Sequence, residues 1–279
     1  MDAYLRPRTL DHALALLAAT PGCQLLAGGT DVFPARTGAE VWLHRDARPL
    51  LDLSGIASLH GINETPAGWR IGALANWAQL CATPLPPAFD GLKQAARQVG
   101  GAQVQNRGTI IGNLCNASPA ADGAPPLLTL DAQMELTGPA GPRVLPLAAF
   151  LQGNRRTALA PGEIASALLI PAPPPGARAG FLKLGARSHL VISIAMVAGV
   201  VTLEGGMVRH VRLAVGACSA TAQRLPLAEA ALLNAPPDPA RLRPEHLAAL
   251  APIDDVRASA AYRRHAALVL LQRLVERLA

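Results

Sequence analysis

The chain has 279 residues, of which 51% are apolar and 16% charged, and a formal net charge of +6. That length allows one large domain or two ordinary ones around a sizeable core, and the balance excludes a disordered chain. The basic side is almost all arginine, with Lys93 and Lys183 the only lysines, and it follows no helix face with interleaved aromatics, so no nucleic acid is expected as a partner.

In chain order, residues 9–19 predict a helix. Thr9 is placed to cap it, Leu10, Leu14, Leu16 and Leu17 give an apolar side, and Pro21-Gly22 ends it. The apolar strand 24–27 runs straight into Gly28-Gly29-Thr30-Asp31, and 50–53 is another short strand. Residues 60–63 and 69–72 read as a hairpin turning at 64–68. A helix is expected over 87–99, stopping at Gly100-Gly101. A second hairpin pairs 132–137 with 143–147, and an extended apolar strand covers 163–170. Pro171-Ala172-Pro173-Pro174-Pro175-Gly176 reads as a linker. Beyond it, 181–185, 192–203 and 208–216 read as strands, and 258–278 is the clearest helix of the C-terminal end. The pattern gives two α+β domains split near 171–178.

No apolar leader follows Met1-Asp2-Ala3-Tyr4-Leu5-Arg6-Pro7. The longest apolar run, 190–203, is too short for a membrane span and contains Ser193 and Gly199. The chain therefore reads as soluble and cytoplasmic. Cys23, Cys81, Cys115 and Cys218 are far apart and form no metal-ligand pattern, so no metal site is expected.

Two segments carry chemistry. Leu25-Leu26-Ala27-Gly28-Gly29-Thr30-Asp31-Val32 ends a buried strand on two glycines. Glycines admit positive φ and close approach to the amides, and successive N–H groups in such a turn form an anion-binding nest. Thr30 adds a hydroxyl donor. This suits a diphosphate, although an ordinary tight turn after a strand needs no ligand. Neither G-x-G-x-x-G nor G-x-x-x-x-G-K-[ST] occurs, which excludes the Rossmann and P-loop readings. The second segment, 100–122, is dense in small and short polar residues. Thr109, Asn113, Asn116, Ser118 and Asp122 are suited to phosphate, ribose or flavin edges. Asp122 either accepts from a ribose hydroxyl or caps a helix running toward Leu130. A structureless loop of this composition reads as functional.

In this order and separation the two segments resemble those of the FAD-binding subunit of the molybdenum hydroxylases, the xanthine dehydrogenase and carbon monoxide dehydrogenase family. The first is similar to that family's A-G-G-T-D. The second is similar to its T-I-G-G-N followed by A-S-P-x-x-D. Tyr4-Leu5-Arg6-Pro7, Arg155-Arg156-Thr157 with Pro161-Gly162-Glu163-Ile164, and Phe181-Leu182-Lys183-Leu184-Gly185-Ala186-Arg187 extend the resemblance over nearly the whole chain. It implies non-covalent FAD in an α+β fold. A two-lobed FAD-binding domain of the vanillyl-alcohol-oxidase (PCMH) type would cover 1–172, with lobes of about 1–55 and 56–172. A smaller α+β domain would cover 177–279. The loop from Leu25 through Val32 would hold the diphosphate, met by Thr109, Ile111, Gly112 and Asn113 from the second lobe. Ser118 and Asp122 would lie toward the adenosine end, Gly101 and Gln103 would line the cleft, and Ala165, Leu168 and Lys183 would lie near the flavin. One position departs: Ile111 stands where the family has glycine. It would strain the backbone if positive φ were needed there, or crowd the ligand if close approach were.

The resemblance also implies a relay. Substrate would be oxidised on a large molybdopterin subunit, and electrons would pass through the [2Fe–2S] clusters of a small subunit to FAD here and on to an external acceptor, in a dimer of heterotrimers. The residues agree in one respect: no nucleophile sits beside a base, so no catalytic residue is expected. None of the histidines lies in a covalent-attachment motif. His189, after Arg187-Ser188, follows the segment expected near the flavin. Two rivals stay open. One is a flavin-free scaffold subunit, which Ile111 keeps alive. The other is a stand-alone oxidase of the vanillyl-alcohol type, which a chain with only Tyr4 and Tyr262 as tyrosines fits poorly.

Overall fold

The computed structural model describes residues 4–36 and 48–279. Residues 1–3 of the N-terminal stretch, and 37–47 within the expected first lobe, lie outside the described residues.

The first lobe is a small parallel sheet of β1 (Tyr4–Leu5), β2 (Gln24–Leu26) and β3 (Leu50–Asp52), in the order β1-β3-β2. Helix α1 (Leu10–Ala19) makes the crossover, and Thr9 caps it as expected, its hydroxyl accepting from His12 N at 3.2 Å. A short helix, α2 (Val32–Arg36), leaves the loop after β2.

The second lobe is an antiparallel sheet. The two expected hairpins form as β4 (Ile62–Thr65) with β5 (Gly68–Gly72), and β6 (Gln133–Gly138) with β7 (Gly141–Pro146). A small pair, β8 (Leu151–Gly153) and β9 (Arg156–Thr157), precedes β10 (Ile164–Pro171). Strand β10 slots between the hairpins, giving the order β4-β5-β10-β6-β7. Its near-continuous apolar run follows from that central place, because both of its faces are covered. Helices α3 (Trp77–Ala82), α4 (Asp90–Ala96), α5 (Ala102–Arg107), α6 (Ile110–Asn116), α7 (Ala124–Thr129) and α8 (Leu147–Phe150) complete the lobe.

Two expectations change here. The helix of 87–99 is shorter: a 3-10 turn over Pro87–Phe89 leads into α4, which ends at Ala96. The segment 100–122 is not structureless, because α5 and α6 occupy much of it. Helix α5 has no fully buried residue, so it carries no apolar periodicity to read. Helix α6 does carry a face, Ile110, Ile111 and Leu114, capped by Thr109.

After residues 172–177, β11 (Arg178–Leu184), β12 (Ala195–Glu204), β13 (Met207–Gly216) and β14 (Gln223–Arg224) form an antiparallel sheet in chain order. Helices α9 (Pro226–Leu232) and α10 (Ala260–Leu278) cover one face. The architecture is α+β, a two-lobed domain followed by a smaller one. A continuous apolar core including Leu51, Ile71, Trp77, Leu114 and Leu168 lies under both lobes, and a second core including Val197, Val215 and Leu271 lies under α10. Ala95 of α4 packs with Phe181 and Met196 to join the two domains. Among the described residues, no helix is long and apolar enough to cross a membrane.

Candidate functional site

A cavity of about 500 Å³ opens between the two lobes, a size that suits a cofactor. The first lobe contributes the loop after β2. The second contributes α6 with the turn before it, and the start of β10. Of the expected site residues, Leu25, Ala27, Gly28, Gly29, Thr30, Asp31, Val32, Thr109, Ile111, Gly112, Asn113 and Ala165 line it. Leu26, Gly101, Gln103, Ser118, Asp122, Leu168 and Lys183 are not in its wall. Leu26 and Leu168 are buried. Gly101 and Gln103 lie between the lining residues Val99 and Val104. His189 is exposed and also outside the wall.

The two glycine-bearing segments touch. A β-carbon on Gly28 would lie 2.1 Å from the Arg107 carbonyl oxygen and 2.9 Å from Gly108 Cα. Gly28 is therefore required by closeness to the other lobe, whereas Gly29 is required by its φ of 77°. Gly108, which the sequence reading passed over, completes the contact: its carbonyl accepts from Trp77 N, and a β-carbon there would sit 3.3 Å from Thr30 Oγ1. Among the described residues, the amides of 28–32 have no acceptor. Consecutive unpaired N–H groups in a glycine turn form a nest that an anion fills.

On the far side, α3 braces the turn into α6. Asn76 and Gln79 form a capping box at the start of α3, and Asn76 Nδ2 donates to Asn106 O at 3.1 Å. Ile110 N donates to Ala75 O at 3.0 Å. Thr109 Oγ1 accepts from Gly112 N at 3.0 Å, so its hydroxyl oxygen serves as the helix cap. Thr109→Ala is expected to lower stability by about 1 kcal/mol in a urea melt. Ile111 lies in the first turn of α6, 3% exposed and absent from the positive-φ residues. The backbone strain anticipated at that position does not arise. Its side chain packs into the core and closes part of the cavity wall. Asn113 Oδ1 is buried in that wall without a hydrogen-bond partner. A bulge in β10 between Ala165 and Ala167 shapes the wall at Ala165.

Asp122 and Lys183 pair with each other. Asp122 is not the cap of α7, whose cap position is Gly123. Its carboxylate accepts from Lys183 Nζ at 2.8 Å and from Ser193 Oγ at 2.9 Å, and all three groups lie away from the cavity wall. Burial pushes the Asp122 carboxyl up, against the pull of the Lys183 ammonium. The pair ties the second lobe to the C-terminal domain.

Three polar side chains in the wall were not foreseen as a group. Asn116 Nδ2 donates to Asp31 Oδ1 at 3.0 Å, and Arg155 Nη1 donates to Asn116 Oδ1 at 2.8 Å. Cys115 also faces the cavity, and burial pushes its thiol up to about 12, so it stays protonated and is a poor nucleophile at neutral pH. The wall thus holds no nucleophile–base pair among the described residues.

A flavin dinucleotide fits these residues on two observations: the unpaired amides, and the glycines held where a side chain has no room. Comparison with known proteins agrees. The chain matches the family model of the FAD binding domain in molybdopterin dehydrogenase over residues 1–173. It matches the CO dehydrogenase flavoprotein C-terminal domain over 180–278. It is 34% identical over 239 residues to the xanthine dehydrogenase FAD-binding subunit of Escherichia coli O157:H7, covering 84% of this chain and 80% of that one. It is 32% identical over 283 residues to the carbon monoxide dehydrogenase medium chain of Afipia carboxidovorans, covering 98% and 95%. A chain of reconstituted CO dehydrogenase from Oligotropha carboxidovorans superposes with a TM-score of 0.92 at 31% identity, covering 100% of this chain and 97% of that one. The chain therefore belongs to the FAD-binding subunits of the molybdenum hydroxylases, of the carbon monoxide dehydrogenase and xanthine dehydrogenase type, and its cofactor is FAD.

Proposed function

We propose that this chain is the flavin-carrying station of a multi-subunit molybdenum hydroxylase, set between the [2Fe–2S] clusters of a small partner subunit and an external electron acceptor. A large molybdopterin subunit oxidises the substrate in this reading, and the three chains assemble as a dimer of heterotrimers. The chain divides at 172–177 into an FAD-binding domain and a C-terminal domain. What carries the proposal is the chemistry of the cavity wall. It is rich in groups that bind a dinucleotide and lacks an acid–base pair among the described residues: Asp31 and Arg155 are both engaged by Asn116, and the Cys115 thiol is protonated.

When bound, FAD supplies the electron-transfer chemistry. The amides of 28–32 would hold its diphosphate, and Thr109 through Asn113 would close on it from the second lobe. Val99, Val104, Ile111 and Ile164 give that part of the wall an apolar surface. The flavin-free reading drew on strain or crowding at Ile111; the helical backbone there removes the strain, and the side chain stays in the cavity wall.

Purification of the native complex tests the proposal. The expected result is FAD released whole by denaturation, with a small iron–sulfur chain and a large molybdenum-containing chain co-purifying. A colourless chain that no added FAD restores would overturn the flavin site. A yellow chain that purifies alone and oxidises its own substrate would overturn the relay.

A further inference from the structure

We propose that Arg155 is the cationic contact for the diphosphate of the bound dinucleotide, and that Asn116 holds it ready for that contact. This rests on the FAD reading of the cavity. The nest of 28–32 and the first turn of α6 offer partial charges only, whereas a diphosphate is dianionic. A full positive charge beside the phosphates gives charge-assisted hydrogen bonds that partial charges do not match. Among the described residues that line the cavity, Arg155 is the only cation.

Its surroundings are built rather than incidental. Arg155 occupies the turn between β8 and β9 with φ 52°, and Ala117, at the end of α6, has φ 47°. Both are unfavourable for residues with a β-carbon, and one hydrogen bond, from Arg155 N to Ala117 O at 2.9 Å, joins them. Backbone strain of this kind persists where surrounding structure holds a functional group in place. That bond fixes the root of the side chain against the end of α6. At the other end only Nη1 is committed, to Asn116 Oδ1. The remaining guanidinium N–H groups have no acceptor among the described residues. A planar donor fork left open suits phosphate oxygens.

Asn116 explains why Arg155 is not spent on Asp31, the only carboxylate among the described lining residues. Its amide donates to Asp31 and accepts from Arg155, so it satisfies each charge in part and keeps them from pairing with each other. The three residues run from the first lobe to the second, and a diphosphate seated on the nest would meet the guanidinium at the end of that bridge.

The test uses the full chain stripped of FAD and titrated by flavin fluorescence, with riboflavin as the ligand that lacks phosphate. Arg155→Gln is expected to weaken FAD binding roughly tenfold to hundredfold, leave riboflavin binding unchanged, and flatten the salt dependence of FAD binding. Asn116→Asp, which offers Arg155 a competing carboxylate, is expected to weaken FAD in the same selective way. If Arg155→Gln does not fold, Arg155→Lys carries the test, with a smaller loss for FAD and none for riboflavin. Unchanged FAD affinity in the folded variants, or equal losses for FAD and riboflavin, overturns the proposal and leaves the flavin site standing. A native chain that takes up no FAD overturns both.

Discussion

Gly28→Ala is expected to destabilise the chain by about 3 kcal/mol and to weaken FAD binding at least tenfold. The added methyl would sit 2.1 Å from the Arg107 carbonyl oxygen, a main-chain atom with no rotamer to yield. Ordinary contact requires the two segments to part by roughly 1 Å. Arg107 ends α5, and Gly108 leads directly into the Thr109 cap, so the parting would be transmitted to α6. The lobes would then present the nest and the α6 turn at the wrong separation, and misplacement on this scale is costly for a rigid ligand. A urea melt and an FAD titration of the same protein measure both effects. Gly22→Ala is the control. It has φ 75° and nothing within 4 Å of its added carbon, so it should lower stability by about 1 kcal/mol and leave FAD affinity alone. Equal behaviour of the two variants would show that the lobes tolerate the gap.

This contact also marks the boundary of what the sequence discloses. The Gly28-Gly29 turn was legible because a strand running into paired glycines is a local pattern, and most of that loop does line the cavity. The hairpins were legible for the same reason, since alternation and turn residues lie next to each other in the chain. The place of β10 was not: it enters between the nearby β6–β7 hairpin and the much earlier β4–β5 hairpin, and no local signal encodes a neighbour. The helices in 100–122 were hidden by their composition, α5 because it has no buried face and α6 because its Asn, Gly and Cys residues mask the Ile110, Ile111 and Leu114 stripe. A cap residue followed by apolar positions one, two and five residues on was the signal available. Gly108 and the Asp31–Asn116–Arg155 bridge join residues that only the folded lobes bring together.

The same limit applies to Asp122 and Lys183, which the resemblance places beside the cofactor and the fold pairs with each other. Lys183→Met is expected to lower stability by about 3–5 kcal/mol at pH 8, because it leaves a buried carboxylate with a hydroxyl as its main partner. The side chains are 6% and 11% exposed, so water does little to replace the lost ammonium. The pH dependence identifies the cause. Burial already raises the Asp122 carboxyl above its unfolded value, with Lys183 opposing, and the substitution removes the opposing charge. A carboxyl raised on folding favours the fold while it is protonated, and that contribution is lost as pH rises through the folded value. The stability gap between Lys183→Met and the native chain should therefore narrow as the pH is lowered from 8 toward 5. Adding Asp122→Asn removes the charge itself, so the double variant should recover much of the loss at pH 8 and show a flatter profile. If the gap is independent of pH and survives in the double variant, the loss comes from packing around the lysine stem. FAD affinity, measured where both proteins are fully folded, then separates the two placements. A pair that only joins the domains leaves it nearly unchanged, and a pair that also touches the cofactor does not.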